Sequence, residues 1–483
     1  MCGWLVVLDL VEYAVRLAGE LGASYGEARF HGVSGLNIYT RNGGVVGSGV
    51  VSRSGIGVRV LVNGALGFAA TPELSRDGVR RAVERAVGLA RAASRLMRRP
   101  LRLDDSRLGR ARYSVEPAKP FDSLPVDEKV EYLTGLWRSV QGSTREARVP
   151  VLTVTYNEWV EEKIIVNSDG GYVESRIPRI TMYYNVVVSS PVKGSLQRWE
   201  QLGGSGGVEL LDKWRLHEKL PVELARYEEI LFKAVPPPTD PVDVIVGSEI
   251  VGLIVHESCG HPSEADRILG REAAQAGKSF IKPGMTGVRI GSEHATVIDD
   301  PTIPGSYGFY LYDDEAVPAG PRYLYKEGLI HEHLQNRFTA PFYGVRSNGA
   351  ARAMDYASEP IVRMANTYLK PGDMRFEELL ESVRRGVYIK SYMEWNIDDE
   401  RWSQRYVGLE AYIVENGELK EYVRNPVLEV TTRSFYSSID AVDRNLEFYA
   451  GTCGKGEPAQ GVPVWFGGPN VKLKGIRLRS TAG

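Results

Sequence analysis

Residues 10–22 read "LVEYAVRLAGELG", with apolar positions recurring at three and four and Gly22 closing the run, so the spacing predicts a first helix beginning just after Asp9. The texture then changes. Between Tyr25 and Thr71 the short β-rich runs "EARFHG", "GLNIYT", "GIGVRVLVNG" and "LGFAAT" are separated by glycine-bearing turns such as "RNGG" and "VNGA", which predicts an antiparallel meander. Ser75 is placed to cap a long basic helix, "RDGVRRAVERAVGLARAASRLM". Its Val79, Val83, Ala86, Val87 and Leu89 would cover a sheet face while the arginines face solvent.

A Pro- and Asp-rich connection over residues 103–125 leads to another helix, "VDEKVEYLTGLWRSVQ". Strands follow in "VLTVTYNEWV", "EKIIVNSDGGYVESR" and "RITMYYNVVVSS", with "NSDGG" as a hairpin turn. Two helical stretches between Val208 and Ala234 end at "VPPPTDP", whose prolines remove backbone donors and stiffen the chain. The domain boundary is placed there, giving units of residues 1–235 and 236–483. The second unit is richer in strands: "VDVIVG", "GVRIG", "ATVIDD", "YLYKEGLIHEHL", "VYIKSYMEW", "YVGLEAYIVENGELK" and "NPVLEVTT", interrupted by one helix, "RFEELLESVRRG". The expected class is α+β.

Charge and cysteine content narrow the function. With 59 basic and 61 acidic side chains in 483 residues, nothing draws the molecule toward phosphate backbones or anionic lipid, so neither nucleic acid nor membrane is expected as a partner. The apolar runs "GWLVVLDLVEYAV" and "VDVIVGSEIVGLIV" are too short or too interrupted by acid to span a bilayer, and the opening lacks the basic leader of a secretory signal. A cytoplasmic protein is expected. Cys2, Cys259 and Cys453 are odd in number and scattered, which is no disulfide framework, so a special cysteine would be a ligand or a nucleophile.

The second apolar run continues into chemistry: "IVGLIVHESCGHPSEAD", residues 250–266. A neutral imidazole binds zinc, and a glutamate beside it can take a proton from metal-bound water. The familiar pairing places two histidines four apart, whereas His256 and His261 are five apart. On a regular helix five positions turn through roughly 500° and leave the side chains about 140° apart, too far for chelation. Gly260 and Pro262 could distort or end the turn at His261, or a π-helical turn could space the rings at five. The bland alternative is a pair of hydrogen-bonded histidines at the edge of the core. A catalytic zinc takes three protein ligands, and two cysteines compete for the third place. Cys259 lies three after His256, within reach on one helical face, or is a small buried hydrophobe. Cys453 lies in the glycine-rich "YAGTCGKGEPAQGVPVWFGGP", where a loop can approach closely. Composition does not choose between them. In "HEH" strand alternation would put His331 and His333 on one face, a polar surface or a second metal site.

"HESCGHPSEAD" resembles the extended His-Glu-x-x-x-His motif of the TldD/PmbA family of zinc metallopeptidases, in its metal-bearing TldD branch. The further landmarks "GSYGFYLYDDEAVPAG", "EGLIHEHLQNRFTA", "RMANTYLKPGD" and "TCGKGEPAQGVPVWFGGP" follow in the family's order, so the resemblance covers nearly the whole chain. It implies that His256, His261 and Cys453 bind zinc (Zn2+), that Glu257 is the general base, and that Cys259 only packs. It implies a two-domain architecture of largely antiparallel sheets with flanking helices, and a dimer, with a PmbA-type subunit or with itself. It points to unfolded or short peptides as substrates. Pro262 departs from the flexible residue the motif usually carries there, while Glu264 and Asp266 match. Arg363, Asn366 and Thr367 of "RMANTY" are placed either along the cleft or in strand-to-turn packing. Two competing readings remain: a noncatalytic regulatory subunit, because one branch of the family lacks the metal ligands, and a metal-dependent hydrolase of small amides.

Overall fold

The computed structural model describes residues 2–480. The first helix, α1 (Cys2–Glu20), begins well before Asp9, which lies inside it. Trp4 and Val7 extend the stripe of Leu10, Val11, Ala14 and Ala18 and pack on the same sheet face, so the buried stripe outweighs the capping signal. The runs "EARFHG" and "GLNIYT" form one strand, β1 (Tyr25–Arg41), followed by β2 (Gly44–Val62) and β3 (Ala65–Thr71). Both connecting turns are Asn-Gly pairs with positive φ, 50° and 76° at Asn42 and Gly43, 49° and 76° at Asn63 and Gly64. That conformation is what a tight hairpin between twisted strands requires.

Helix α2 (Arg76–Ser94) starts at Ser75, whose hydroxyl accepts from the Gly78 N–H. Val79, Val83, Ala86 and Val87 are buried as expected, but Leu89 falls off the stripe and is 48% exposed. After β4 (Arg110–Ser114) and α3 (Val126–Val140) come the long strands β5 (Arg148–Asn167), β6 (Tyr172–Ser190) and β7 (Gly194–Ser205). They complete a seven-stranded sheet in the order β3-β2-β1-β5-β6-β4, with β7 also on β6; only β4 and β6 run parallel. Helices α4 (Glu209–Trp214) and α5 (Leu216–Lys233) lead out of it.

Strand β8 (Val242–Val246) sits inside a six-stranded sheet, between Arg385–Ile389 and Val471–Ile476. A second six-stranded sheet ends in Asn366–Leu369, Gln460–Gly468 and, at its edge, Glu447–Lys455. Helix α6 (Ser248–Val255) is wholly buried; Glu249 in its first turn pairs with Arg198 at 2.8 Å, and the aliphatic residues after it lie in the shared core. Several expected elements shrink. "GVRIG" makes only an isolated bridge from Arg289 to Leu329, and "RFEELLESVRRG" is a helix only over Phe376–Glu381, its end joining the strand Arg385–Ile389. The "HEH" run leaves the strand after Ile330, so His331 is exposed while His333 is buried, and the two share no face. Ion pairs tie the two halves together, fully buried from Arg59 to Glu315 at 2.6 Å and partly buried from Lys163 to Asp314 at 2.9 Å. Among the described residues no helix is long and apolar enough to cross a membrane.

Candidate metal centre

At the end of α6 the chain makes one π-helical turn, His256–Gly260, then a short 3-10 turn, His261–Ser263. The His261 N–H donates to the His256 carbonyl, five residues back, which closes the gap that a regular helix would leave. The two imidazoles stand with ring centroids 5.0 Å apart and planes at 82°. Neither Gly260 nor Pro262 acts as expected. Gly260 has ordinary right-handed angles, φ −58° and ψ −64°, and what it supplies is room: a Cβ there would lie 1.9 Å from Met364 Sδ. Pro262 does not push His261 out of helical geometry, since His261 sits at φ −58° and ψ −46°. The turn is fixed instead by burial on all sides, from Val255 through Asp266.

The third donor comes from the far end of the chain. Cys453 lies on the edge strand Glu447–Lys455, and its Sγ is 3.5 Å from His261 Nε2. The ligand atoms of His256, His261 and Cys453 all lie within 4.8 Å of one another, and no other such cluster of three is found among the described residues. Cys259 turns away into the core with Ile254, Tyr325 and Tyr436, where burial pushes its thiol well up.

The donor chemistry fits a zinc ion. Burial holds the His256 imidazole neutral against the pull of Glu257, and its Nδ1 is buried without a hydrogen-bond partner. Burial would raise the Cys453 thiol, but His261 and Arg363 outweigh it and hold it below its usual range, toward the thiolate a metal requires. His261 Nδ1 lies 3.1 Å from Glu264 Oε2, leaving Nε2 to face the sulfur. Such a carboxylate behind a histidine orients the ring and raises its basicity. Glu264 is fully buried; burial opposes its charge, but Lys455, Arg267 and His261 hold its carboxyl well below the usual range.

Glu257 is buried on the same turn and pairs with Arg401, which reaches in from the loop after Tyr392–Ile397. Arg401 adopts a left-handed φ of 66°, and its carbonyl accepts from Thr432 Oγ1 at 2.7 Å. Burial raises the Glu257 carboxyl, yet the charges of His261 and Arg401 outweigh it and keep it ionised. These groups open onto a cleft of about 430 Å³ with aromatic walls that include Trp199, Tyr392, Trp395 and Tyr449.

Of the three "RMANTY" residues, none lines this cleft. Arg363 is buried behind it, donating to the carbonyls of Cys453 and, at 3.1 Å, of Gln460, and so pins the strand that carries the sulfur. Asn366 donates to Ser306 Oγ at 2.9 Å and Thr367 to Asp299 at 2.9 Å, both in packing roles. Sequence reasoning missed Arg401 and Lys455. Strand alternation marks Lys455, two after Cys453 and therefore on the same face, where its Nζ meets Asp266 at 2.7 Å. No sequence signal marks Arg401, which depends on the turn of a distant loop.

Comparison with known proteins divides the chain into three parts. The description "PmbA/TldA metallopeptidase domain 1" fits residues 26–90, "PmbA/TldA metallopeptidase central domain" residues 119–234, and "PmbA/TldA metallopeptidase C-terminal domain" residues 239–480. The first two share one sheet, to which β1–β3 and β4–β7 both contribute. A metalloprotease of Methanothermobacter thermautotrophicus is 33% identical over 89% of each chain. A zinc metalloprotease TldD homolog of Saccharolobus solfataricus is 26% identical over 96% of this chain and 98% of its own. The crystal structure of TldE from Thermococcus kodakarensis has the same fold, with a TM-score of 0.70 at 15% identity over 98% of this chain and 100% of that one. With three consecutive family domains in order and a relative one-third identical along most of its length, the chain belongs to the PmbA/TldD metallopeptidase family.

Proposed function

We propose that the chain hydrolyses peptide bonds in unfolded or short peptides, with zinc held by His256, His261 and Cys453 and with Glu257 as general base. The observation that carries this reading is the convergence of two imidazoles and a thiol 192 residues further on, beside an ionised glutamate in an open cleft. Zinc bound there supplies a Lewis acid that lowers the pKa of water and polarises a carbonyl.

The chain's own groups do the rest. Glu257 accepts the proton of the attacking water at its carboxylate and returns it to the leaving nitrogen. Arg401 holds that carboxylate ionised and oriented. Glu264 and Arg363 fix the ring of His261 and the backbone of Cys453 from behind, so the donors meet without rearrangement. The Glu447–Lys455 strand is a sheet edge along the cleft, where an extended peptide can align by main-chain hydrogen bonds with little regard to sequence.

Metal analysis and cleavage of an unstructured protein test the reading together. Glu257→Ala is expected to retain zinc and lose about 10²–10⁴ of turnover, the usual worth of a general base. His256→Ala and Cys453→Ser are expected to lose both zinc and activity. Equal turnover in wild type and Glu257→Ala would remove the mechanism. Chelator-insensitive protein with no cleavage would favour a noncatalytic subunit, and turnover of small amides without protein cleavage would favour an amidohydrolase.

A further inference from the structure

The cleft that opens on the metal centre holds a carboxylate that neither the ligand set nor the proton transfer uses. Glu249 stands in the first turn of α6, seven residues before His256. Seven helical residues turn through about 700° and rise about 10 Å, so the two side chains leave the helix on nearly the same side. Both line the cleft, with Leu253 between them. Glu249 is only 5% exposed. Among the described residues its carboxyl has one hydrogen-bond donor, Arg198 Nη1, which reaches Oε1 at 2.8 Å and leaves Oε2 to the cleft.

Behind Glu249 the charges do not balance. Arg198 also reaches Glu200 at 3.2 Å, and the next cation, Lys219, stands between Glu200 at 3.2 Å and Glu223 at 3.6 Å. Tyr184 donates to Glu200 and Glu223, which stabilises them without adding positive charge. Three carboxylates therefore share two cations, and this network ends at the free oxygen of Glu249. Buried charge is costly unless it is paired. Burial pushes the Glu249 carboxyl up to about 7 against the pull of Arg198, and Glu200 adds to the rise. A cation brought to Oε2 would complete the count and hold Glu249 ionised.

The walls suit the same guest. Tyr392, Trp395 and Tyr449 line the cleft with Glu249, and the faces of such rings attract ammonium and guanidinium groups. Burial, then the charge of Glu249, raises the hydroxyls of Tyr392 and Tyr449, which places both rings beside the carboxylate. Arg401, the guanidinium in the lining, is already held by Glu257.

We propose that Glu249 sets the specificity of the cleft by binding a cationic group of the peptide, either an arginine or lysine side chain or a free amino terminus, about 10 Å from the metal. An extended chain rises about 3.3 Å per residue, so the cation belongs to a residue within about three of the bond at the metal. Glu249 has this role only if peptides occupy the cleft as proposed above.

Binding is measured with zinc-loaded Glu257→Gln, which should hold a peptide without cutting it and keeps a partner for Arg401. Fluorescent peptides blocked at the amino terminus, each with one arginine in a neutral sequence, are compared with twins in which citrulline, an uncharged isostere, replaces it. Unblocked citrulline peptides test the amino terminus as the source of the charge. Binding about tenfold tighter or more is expected for the arginine peptide, or for the unblocked peptide, over the blocked citrulline twin. Adding Glu249→Gln should bring that ratio close to one with zinc content unchanged, whereas a merely structural role would weaken charged and uncharged peptides alike. A ratio near one before residue 249 is changed would overturn the proposal, and this comparison stands even if Glu249→Gln fails to fold. A preference that Glu249→Gln leaves intact, or no binding of any of the peptides, would overturn it as well. Wild-type cleavage of charged and uncharged peptides at equal kcat/KM would remove the role of Glu249 and leave the peptidase reading standing; a charge preference in binding with no wild-type cleavage would do the reverse.

Discussion

Replacing Gly260 with alanine isolates the π-helical turn as the source of the histidine spacing. The backbone angles at Gly260 are ones any residue adopts, and in an open helix alanine would be favoured over glycine by about 1 kcal/mol, so any loss is steric. The new Cβ would stand 1.9 Å from Met364 Sδ and 3.3 Å from Met364 Cγ and Cε, where ordinary contact begins at 3.4 Å. Roughly 1.5 Å must therefore be found, and Met364 is fully buried with no solvent to move into. Overpacking of this kind costs about 1–3 kcal/mol. Part of the displacement falls on the peptide joining Gly260 to His261, while metal–ligand distances tolerate only about 0.2 Å. Zinc affinity is expected to fall tenfold or more, each tenfold being about 1.4 kcal/mol. Competition against a chromogenic chelator measures the affinity, and urea unfolding of the metal-free protein measures the packing cost. Adding Met364→Ala lowers stability further by about 2–5 kcal/mol through the cavity, yet should restore zinc binding toward wild type by making room. Wild-type affinity in Gly260→Ala, or no recovery in the double variant, would refute the reasoning.

Zinc at about 100 times its dissociation constant should stabilise the protein by about 2.7 kcal/mol; a melting temperature that ignores zinc, or rises equally in Cys453→Ser, would contradict the ligand set. Because Arg401 helps hold the Glu257 carboxyl below its usual range, Arg401→Gln should move the acidic limb of kcat/KM to higher pH while leaving zinc content unchanged, and an unmoved limb in a pH–rate profile would remove that role. Burial pushes His333 down to about 4, and neither ring nitrogen has a hydrogen-bond partner. The folded state then binds fewer protons than the unfolded state between about pH 4 and 6.5, so this contribution is full above 6.5 and lost as pH falls toward 4, about 3 kcal/mol in all. His333→Phe should flatten the stability profile over that window in denaturant titrations at stepped pH; an unchanged slope would count against it.

Much of the fold is legible because local signals and burial agree. The Asn-Gly turns and the Ser75 cap stand where the sequence reading puts them, whereas the strand runs fuse: "VLTVTYNEWV" and "EKIIVN" lie in one strand, β5, and "YVESR" and "RITMYYNVVVSS" in another, β6. Boundaries fail where tertiary burial overrides a local signal, as at Asp9, which reads as a cap but lies inside α1. In the second half, short strands such as Ala351–Arg352 and Ile361–Val362 exist only because neighbours hold them, and no periodicity over two residues can announce that. The spacing of His256 and His261 shows that a regular helix cannot serve, and a π-helical turn is among the solutions it allows. The role of Gly260 was not legible, since the methionine that needs its space lies 104 residues away. Arg401 was hidden for the same reason: its side chain reaches Glu257 from a loop 144 residues further along the chain.

The sulfur of Cys453 and the ring of His261 are separated by 192 residues of chain. At about 5–20 residues per second, a ribosome takes roughly 10–40 s to get from one to the other. Throughout that interval the growing polypeptide carries its glutamate and both imidazoles but not its thiol, so a nascent or prematurely terminated product holds an incomplete donor set. The three ligand atoms can therefore meet only after the strand Glu447–Lys455 has been made and has paired with its neighbour.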